Sequence, residues 1–253
     1  MRRIQRLIDQ HGADTDPENQ LDEIYITVLK ATLRPELSIQ EKDDLCGELR
    51  QVVGTIALLF SPLPRDSLAK LLSWQPNEID VALSDLHTVL NIPEQRDWPI
   101  RLHHPTFREF ITNRSRCKDL SFWVNEQQAH LAIADACIDL MSSMLRRDIC
   151  GLRNPATLTK DVGEDLIKAR IPPELQYACL YWIQHYRRTG QRLREGDKTH
   201  EFFKRNFLVW IEAIILIGKR SEVAAIMRMY ASLIEVSSLF VHSGAPADRC
   251  YVV

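Results

Sequence analysis

The stretch RLHHPTFREFI, residues 101–111, decides the fold of this chain. It reads as the end of a β-strand, a His-Pro junction at His104 and Pro105, and then the start of a helix. Apolar residues follow the junction at helical spacing, at Phe107, Phe110 and Ile111. We therefore predict a strand that turns into a helix, with the apolar side chains of that helix packed against the domain.

A second short strand is predicted just before this junction. Residues 89–92 and 100–102 are mainly apolar, and they flank the polar sequence PEQRDWP, which is typical of a turn. The two segments are too short and too close in sequence to belong to anything but a small hairpin. We therefore expect two antiparallel strands joined by a tip of five to seven residues.

Helices precede this hairpin. Ser38 and Glu41 have the spacing of a capping box, in which each side chain binds a free backbone N–H at a helix start. Two more amphipathic patterns each follow a proline, and the second of them covers residues 76–88. Three helices closed by a hairpin predict a winged-helix domain over residues 38–118, preceded by N-terminal helices over residues 1–37.

The second half of the chain has longer helical patterns. Apolar residues recur at spacings of three and four in several segments, among them Leu131, Ala134, Ile138 and Met141, and later Leu175, Ala178, Cys179 and Trp182. We predict an array of irregular helical hairpins over residues 119–238 and an irregular tail over residues 239–253. The fold class is therefore mainly α, a winged-helix domain followed by an irregular helical-hairpin array.

The composition limits the classes of function that this chain can have. The 253 residues include 32 Lys and Arg and 34 Asp and Glu, so the formal charge of −2 gives no general attraction to nucleic acid or to an anionic membrane. The six cysteines are isolated from one another and show no zinc-ligand spacing, so we expect reduced thiols, mostly in the core. No apolar run is long enough to span a membrane, and we expect a cytoplasmic protein.

Sequence motifs for catalysis are absent. The chain has no phosphate-binding loop, no dinucleotide-binding glycine pattern, no serine-hydrolase elbow and no zinc-protease or calcium-loop motif. We therefore predict that the protein is not an enzyme, that it carries no cofactor of its own, and that it holds no metal.

Seven ordered segments resemble the region that follows the nucleotide-binding domain in fungal NACHT and WD-repeat receptors. These receptors are related to the vegetative (heterokaryon) incompatibility proteins and belong to the STAND class of signalling NTPases. The matching segments are residues 20–33, 48–64, 83–94, 99–111, 122–130, 140–155 and 171–185. The resemblance implies a regulatory, non-catalytic piece of an innate-immunity-like receptor, without the NTPase domain and the propeller, that acts through protein contacts.

One candidate site residue follows from the resemblance. The family signature places its histidine at His104, where it implies a contact with the phosphates of bound ADP. That role requires an NTPase domain supplied in trans, because this chain has no nucleotide-binding motif. The alternative is a capping or core histidine at a strand-to-helix turn, which we favour for the chain alone. His103 alternates to the opposite face and is expected to be exposed.

The sequence is consistent with two kinds of partner, proteins and nucleic acid. We expect protein partners, either the NACHT NTPase domain of a paralogue or a second copy of this chain. The alternative function is nucleic-acid binding through the winged helix, with residues 76–88 as the recognition helix, but this segment contains no Lys or Arg for phosphate contacts. Residues 185–205 are rich in basic side chains, and we interpret them as a solvated connection whose phenylalanines point inward.

Overall fold

A computed structural model describes residues 17–152 and 161–234, and these are mainly helical. The helices within those ranges are α1 (Pro17–Ala31), α2 (Ile39–Leu58), α3 (Arg65–Leu72), α4 (Pro76–Leu83), α5 (Thr106–Thr112), α6 (Glu126–Met144), α7 (Glu164–Arg170), α8 (Pro173–Arg188), α9 (Lys198–Leu216) and α10 (Glu222–Leu233). The strands are β1 (Leu90–Asn91) and β2 (Arg101–Leu102). The prediction of a mainly α fold is confirmed.

The two strands form the predicted antiparallel hairpin. Leu90 pairs with Leu102 and Asn91 with Arg101, so each strand is shorter than the apolar segment that predicted it. The base of the hairpin is held by two more backbone bonds, from His103 N–H to the carbonyl oxygen of Val89 and from the N–H of residue 100 to the carbonyl oxygen of residue 63, both 3.0 Å. The hairpin therefore lies against the segment between α2 and α3.

Local sequence signals set the helix starts. The predicted capping box of α2 is present: Ser38 N–H donates to Glu41 Oε2 at 2.7 Å, and Glu41 N–H donates to Ser38 Oγ at 3.3 Å. The helix α4 begins at Pro76, where proline fits because the first N–H of a helix has no partner. It ends at Leu83, so the predicted helix over residues 76–88 is too long. The following residues form hydrogen-bonded turns that lead into β1.

The hydrophobic core is continuous among the described residues, from Tyr25 to Leu233. The helices α6 and α8 pack along each other at its centre. Trp182 on α8 and Trp210 on α9 are completely buried. The five described cysteines are free and buried, as predicted, and Cys250 lies outside the described residues.

The first part of the chain packs closely on the second. The helix α2 contacts α6, and α3 contacts both α6 and α8. Gly54 of α2 lies so near Val124 that a Cβ atom at this glycine would be 3.0 Å from Val124 Cγ1. The predicted boundary between residues 118 and 119 falls in the connection between α5 and α6. The division into domains stays a prediction, and residues 1–16 and the predicted tail lie outside the described part.

Candidate functional site around His104

His104 lies in the predicted turn between the end of β2 and the start of α5. Its side chain is exposed. The Nδ1 atom accepts a hydrogen bond from Thr106 N–H at 3.3 Å and lies 2.7 Å from Thr106 Oγ1. The side chain therefore accepts a hydrogen bond from one of the free N–H groups at the start of α5, as a helix-capping side chain does.

Thr106 connects this histidine to α1. Its Oγ1 atom is 2.7 Å from the hydroxyl oxygen of Tyr25, a buried residue of α1. The Tyr25 ring packs edge-on against Phe107 at a centroid distance of 5.1 Å and also contacts Phe110 at 5.4 Å. The side chains of the RLHHPTFREFI segment that point inward thus hold α1 in place.

Ion pairs fix α1 further. The guanidinium of Arg116 donates to both carboxylate oxygens of Asp22, with its shortest contact at 2.7 Å, and lies 2.7 Å from Glu18. The hydrogen bonds to Asp22 raise the pKa of Arg116 above its usual value. Near the other end of α1, Lys30 Nζ pairs with Asp119 at 3.0 Å. The position of α1 relative to His104 is therefore determined along the whole helix.

His103 differs from its neighbour. It is exposed, as predicted, and its Nε2 atom lies 3.2 Å from the carbonyl oxygen of His87. Its ring makes no hydrogen bond to α5 or α1 among those found in the described ranges. The two adjacent histidines are thus both exposed, but of the two it is His104 that is connected to the helices behind it.

The tip of the hairpin is held by ion pairs. Arg96 contacts Asp66 of α3 at 2.7 Å and also pairs with Asp80 of α4. Arg65 contacts Asp80 at 3.0 Å and also donates to the carbonyl oxygen of Pro93 at 2.5 Å. The cationic groups of this corner are therefore already engaged by carboxylates of the same chain.

A second histidine site is buried between α6 and α8. His130 and His185 are both fully buried, and their Nδ1 atoms are 2.7 Å apart. The Nε2 atom of His185 lies 2.6 Å from the hydroxyl of Tyr177, which accepts a hydrogen bond from Phe60 N–H at 3.2 Å. This pair was not predicted from the sequence, because the two histidines are 55 residues apart and neither belongs to a recognisable motif.

The buried pair is uncharged at neutral pH. Burial, and then the neighbouring His130, lower the pKa of His185 to about 3. Burial also lowers the pKa of His130, whose Nε2 atom lies 3.6 Å from Glu126. The pair thus joins α6 to α8, and its remaining nitrogen, His130 Nε2, is buried without a hydrogen-bond partner in the described part of the chain.

A buried carboxylate connects the same two parts of the chain. Glu174 of α8 is 1% exposed, and its oxygens lie 2.7 Å from Ser67 Oγ and 2.7 Å from Lys70 Nζ, both on α3. Its charge is thus compensated at one side by a cation that remains partly in solvent. This contact, too, was not predicted from the sequence.

A groove of about 770 Å³ runs between α2, the end of α3, the α5–α6 connection and α6. Arg114 lies over the Trp123 ring at 4.9 Å, and Arg50 also lines the groove. Asp135 and Asp139 line it as well. Because basic and acidic groups are both present, the lining favours no single charge class of ligand.

The basic stretch over residues 185–205 is only partly a connection. It includes the last turn of α8, the loop over residues 189–197 and the start of α9. Phe202 and Phe203 are buried, as predicted, and most of the arginines and lysines are exposed. Within the described ranges no cluster of three or more His, Cys, Asp or Glu side chains has a metal-binding arrangement, and no helix is long and apolar enough to cross a membrane.

Comparison with known proteins gives one informative match. No protein-family model matches the chain, and no solved structure matches it. The chain is 24% identical over 241 residues to the vegetative incompatibility protein HET-E-1 of Podospora anserina, in an alignment that covers 85% of this chain and 17% of that protein. The chain is therefore distantly similar, over most of its length, to a small part of a fungal incompatibility protein.

Proposed function

We propose that this chain is a non-catalytic regulatory region of a STAND signalling protein of the fungal incompatibility type, and that it acts through protein contacts. The observation that carries the proposal is the alignment, which extends over 85% of the chain and corresponds to 17% of a much longer incompatibility protein. In this proposal the nucleotide is bound by a NACHT NTPase domain elsewhere in the same receptor or in a paralogue.

The order of elements supports the finer assignment. Three helices, α2 to α4, precede the β1–β2 hairpin, and α5 follows it. This is the order expected of a winged helix over residues 38–118. Among the later helices, α6, α8, α9 and α10 pack on one another, as expected of an irregular helical array.

His104 is the residue that we assign to nucleotide sensing. Its ring is exposed, Nδ1 is engaged by Thr106, and Nε2 has no hydrogen-bond partner in the part of the chain that the structure describes. An exposed imidazole N–H is a suitable donor for a phosphate oxygen. The cap on α5 and the phosphate contact use different nitrogens, so one does not prevent the other.

The partner surface that we propose lies on the winged helix. Val81 of α4 is 71% exposed and Trp98 of the hairpin is 57% exposed, on two elements that the Arg96–Asp80 pair joins. Large apolar side chains that form one surface patch favour contact with another protein, and we propose that these two belong to one patch. A NACHT domain or a second copy of the chain would cover them.

Nucleic-acid binding has less support. The helix α4 contains no Lys or Arg, and Arg96 at the hairpin tip is engaged by Asp66 and Asp80. Contacts with phosphate need free cationic side chains. A salt-dependent gel shift with duplex DNA would favour this alternative over the regulatory one.

Calorimetry on the isolated chain tests the non-catalytic part of the proposal. We expect neither ADP nor ATP to bind with micromolar affinity, because the chain has no phosphate-binding loop. Micromolar binding, or hydrolysis of ATP by the purified chain, would contradict the proposal.

A chimera tests the role of His104. This chain would replace the matching segment of the Podospora anserina protein, and the release of fluorescent ADP would be measured. We expect His104→Ala to release ADP about tenfold faster, as for the loss of one hydrogen bond to a charged group. The matched control is His103→Ala, which should leave the rate unchanged. Equal rates in the two variants would contradict the assignment.

A further inference from the structure

Three side chains form a hydrogen-bonded series from α1 to the surface. The Tyr25 hydroxyl lies 2.7 Å from Thr106 Oγ1, and Thr106 Oγ1 lies 2.7 Å from His104 Nδ1. Tyr25 is 7% exposed, whereas His104 is exposed to solvent. The series therefore begins in the core and ends at the candidate site.

The direction of each hydrogen bond follows from one group that can only donate. The backbone N–H of Thr106 donates to His104 Nδ1 at 3.3 Å, so Nδ1 carries a lone pair and not a proton. The neutral ring then has its proton on Nε2. The Thr106 hydroxyl, 2.7 Å from Nδ1, then donates to the same lone pair, which the two donors share. This leaves the Tyr25 hydroxyl as the donor to Thr106 Oγ1.

We infer that Tyr25 and Thr106 are positioning residues that hold His104 in the Nε2–H tautomer, with this N–H directed away from the fold toward an anionic group. The inference rests on the proposed function for the identity of that group, a phosphate of ADP bound to a NACHT domain. The tautomer itself does not depend on it. A histidine in the other tautomer would present a lone pair at Nε2 and would repel the same oxygen.

The inference also connects α1 with the site. The terminal donor of the series belongs to α1, and α1 is held by Arg116 through Asp22 and Glu18. A displacement of α1 by a few ångströms would remove the Tyr25 hydroxyl from Thr106 and free the threonine hydroxyl to rotate. The backbone N–H of Thr106 would then remain as a donor to Nδ1, but its contact is longer than that of the hydroxyl, 3.3 Å against 2.7 Å. The preference of His104 for the Nε2–H tautomer would therefore weaken when α1 moves.

Nitrogen-15 NMR of the histidine rings in the full chain tests this inference directly. At a pH where the ring is neutral, we expect a pyrrole-type shift for His104 Nε2 and a pyridine-type shift for Nδ1, assigned by their loss in His104→Gln. Thr106→Val keeps the backbone N–H and the side-chain volume but removes the hydroxyl. It should move the Nδ1 shift toward the pyrrole range, as expected when both tautomers are populated.

Two further variants separate positioning from a loss of structure. Thr106→Ser retains the hydroxyl and should restore the wild-type shifts, and Tyr25→Phe should move the Nδ1 shift in the same direction as Thr106→Val, but less. The ring signals of His103 and His185 should not change in any of these variants. A pyrrole-type Nδ1 in the wild-type chain, or shifts that Thr106→Val leaves unchanged, would overturn the inference.

Failure of this inference can be distinguished from failure of the proposed function. If the chimera releases ADP equally with and without His104 while the tautomer shifts behave as expected, the nucleotide role is wrong and the positioning role stands. If the wild-type tautomer is mixed, the positioning role is wrong whatever the chimera does.

Discussion

His104 and the His130–His185 pair lie in different parts of the molecule and are constructed in opposite ways. His104 is exposed, has one nitrogen engaged by Thr106 and leaves the other open to solvent. In the buried pair, three of the four ring nitrogens make hydrogen bonds within the chain, and His130 Nε2 has no such partner among the described residues. Burial keeps the pair uncharged. The difference separates a histidine that can meet a ligand from histidines that hold helices together.

The largest expected effect is on the buried pair. His185→Ala leaves a cavity, His130 Nδ1 loses its partner, and the Tyr177 hydroxyl keeps its bond from Phe60 N–H but loses its bond to the ring. We expect the free energy of unfolding to fall by about 3 kcal/mol, from the lost packing and the unsatisfied polar groups. Urea unfolding followed by circular dichroism measures it. If His185→Ala lowered the free energy of unfolding no more than His104→Ala does, the buried pair would not be the more important of the two for stability.

A smaller effect should appear with pH. An unfolded histidine has a pKa near 6.5, whereas the pKa of His185 in the fold is about 3. Between these values the unfolded chain binds more protons than the folded one, so the free energy of unfolding falls as the pH falls. The contribution of His185 to the free energy of unfolding is at its full value above about pH 6.5. From about pH 8 to about pH 5, His185 alone should account for a loss of about 2 kcal/mol.

Two variants isolate this contribution from that of the carboxylates. His185→Gln removes the titrating ring and should flatten the dependence of unfolding free energy on pH, leaving a remainder from His130, whose pKa burial also lowers. His103→Gln removes an exposed ring and should leave the slope as in the wild type. Identical slopes in all three proteins would show that the buried pair does not control acid stability.

The smallest effect is expected at the surface site. His104→Ala removes the side chain that caps α5 at Thr106 N–H, and the loss of a helix cap costs about 1 kcal/mol. His103→Ala removes only an exposed contact and should change the unfolding free energy by less than about 0.5 kcal/mol. Thermal or urea unfolding of the two single variants makes the comparison. If His103→Ala were the more destabilising, the capping role of His104 would be wrong.

Local signals in the sequence predicted most of the elements. The capping box at Ser38 and Glu41 involves residues three positions apart, so its spacing is visible in one dimension. The apolar residues of RLHHPTFREFI also gave the correct buried face, since Phe107 and Phe110 are in the core. The end of α4 was misplaced because turns with helix-like spacing continue beyond Leu83.

Contacts between distant residues were not predictable in this way. Glu174 and Ser67 are 107 positions apart, and nothing in either local sequence indicates that a glutamate on an otherwise apolar helix face is buried against a serine. The hydroxyl of Tyr25 reaches Thr106, 81 residues later, and no local pattern indicates this contact. The candidate residue could be predicted from a signature, but the groups that orient it could not.

The close approach of Gly54 to Val124 has a consequence for how such chains diverge. A Cβ atom at position 54 would lie about 3 Å from the branched methyl groups of Val124, so alanine there requires Val124 to shift by a few tenths of an ångström or to be replaced by a smaller residue. The two positions should change together or not at all among relatives of this protein. A glycine lowers the stability of a helix interior, and here a neighbour 70 residues away in sequence offsets that cost by leaving no free space for a side chain.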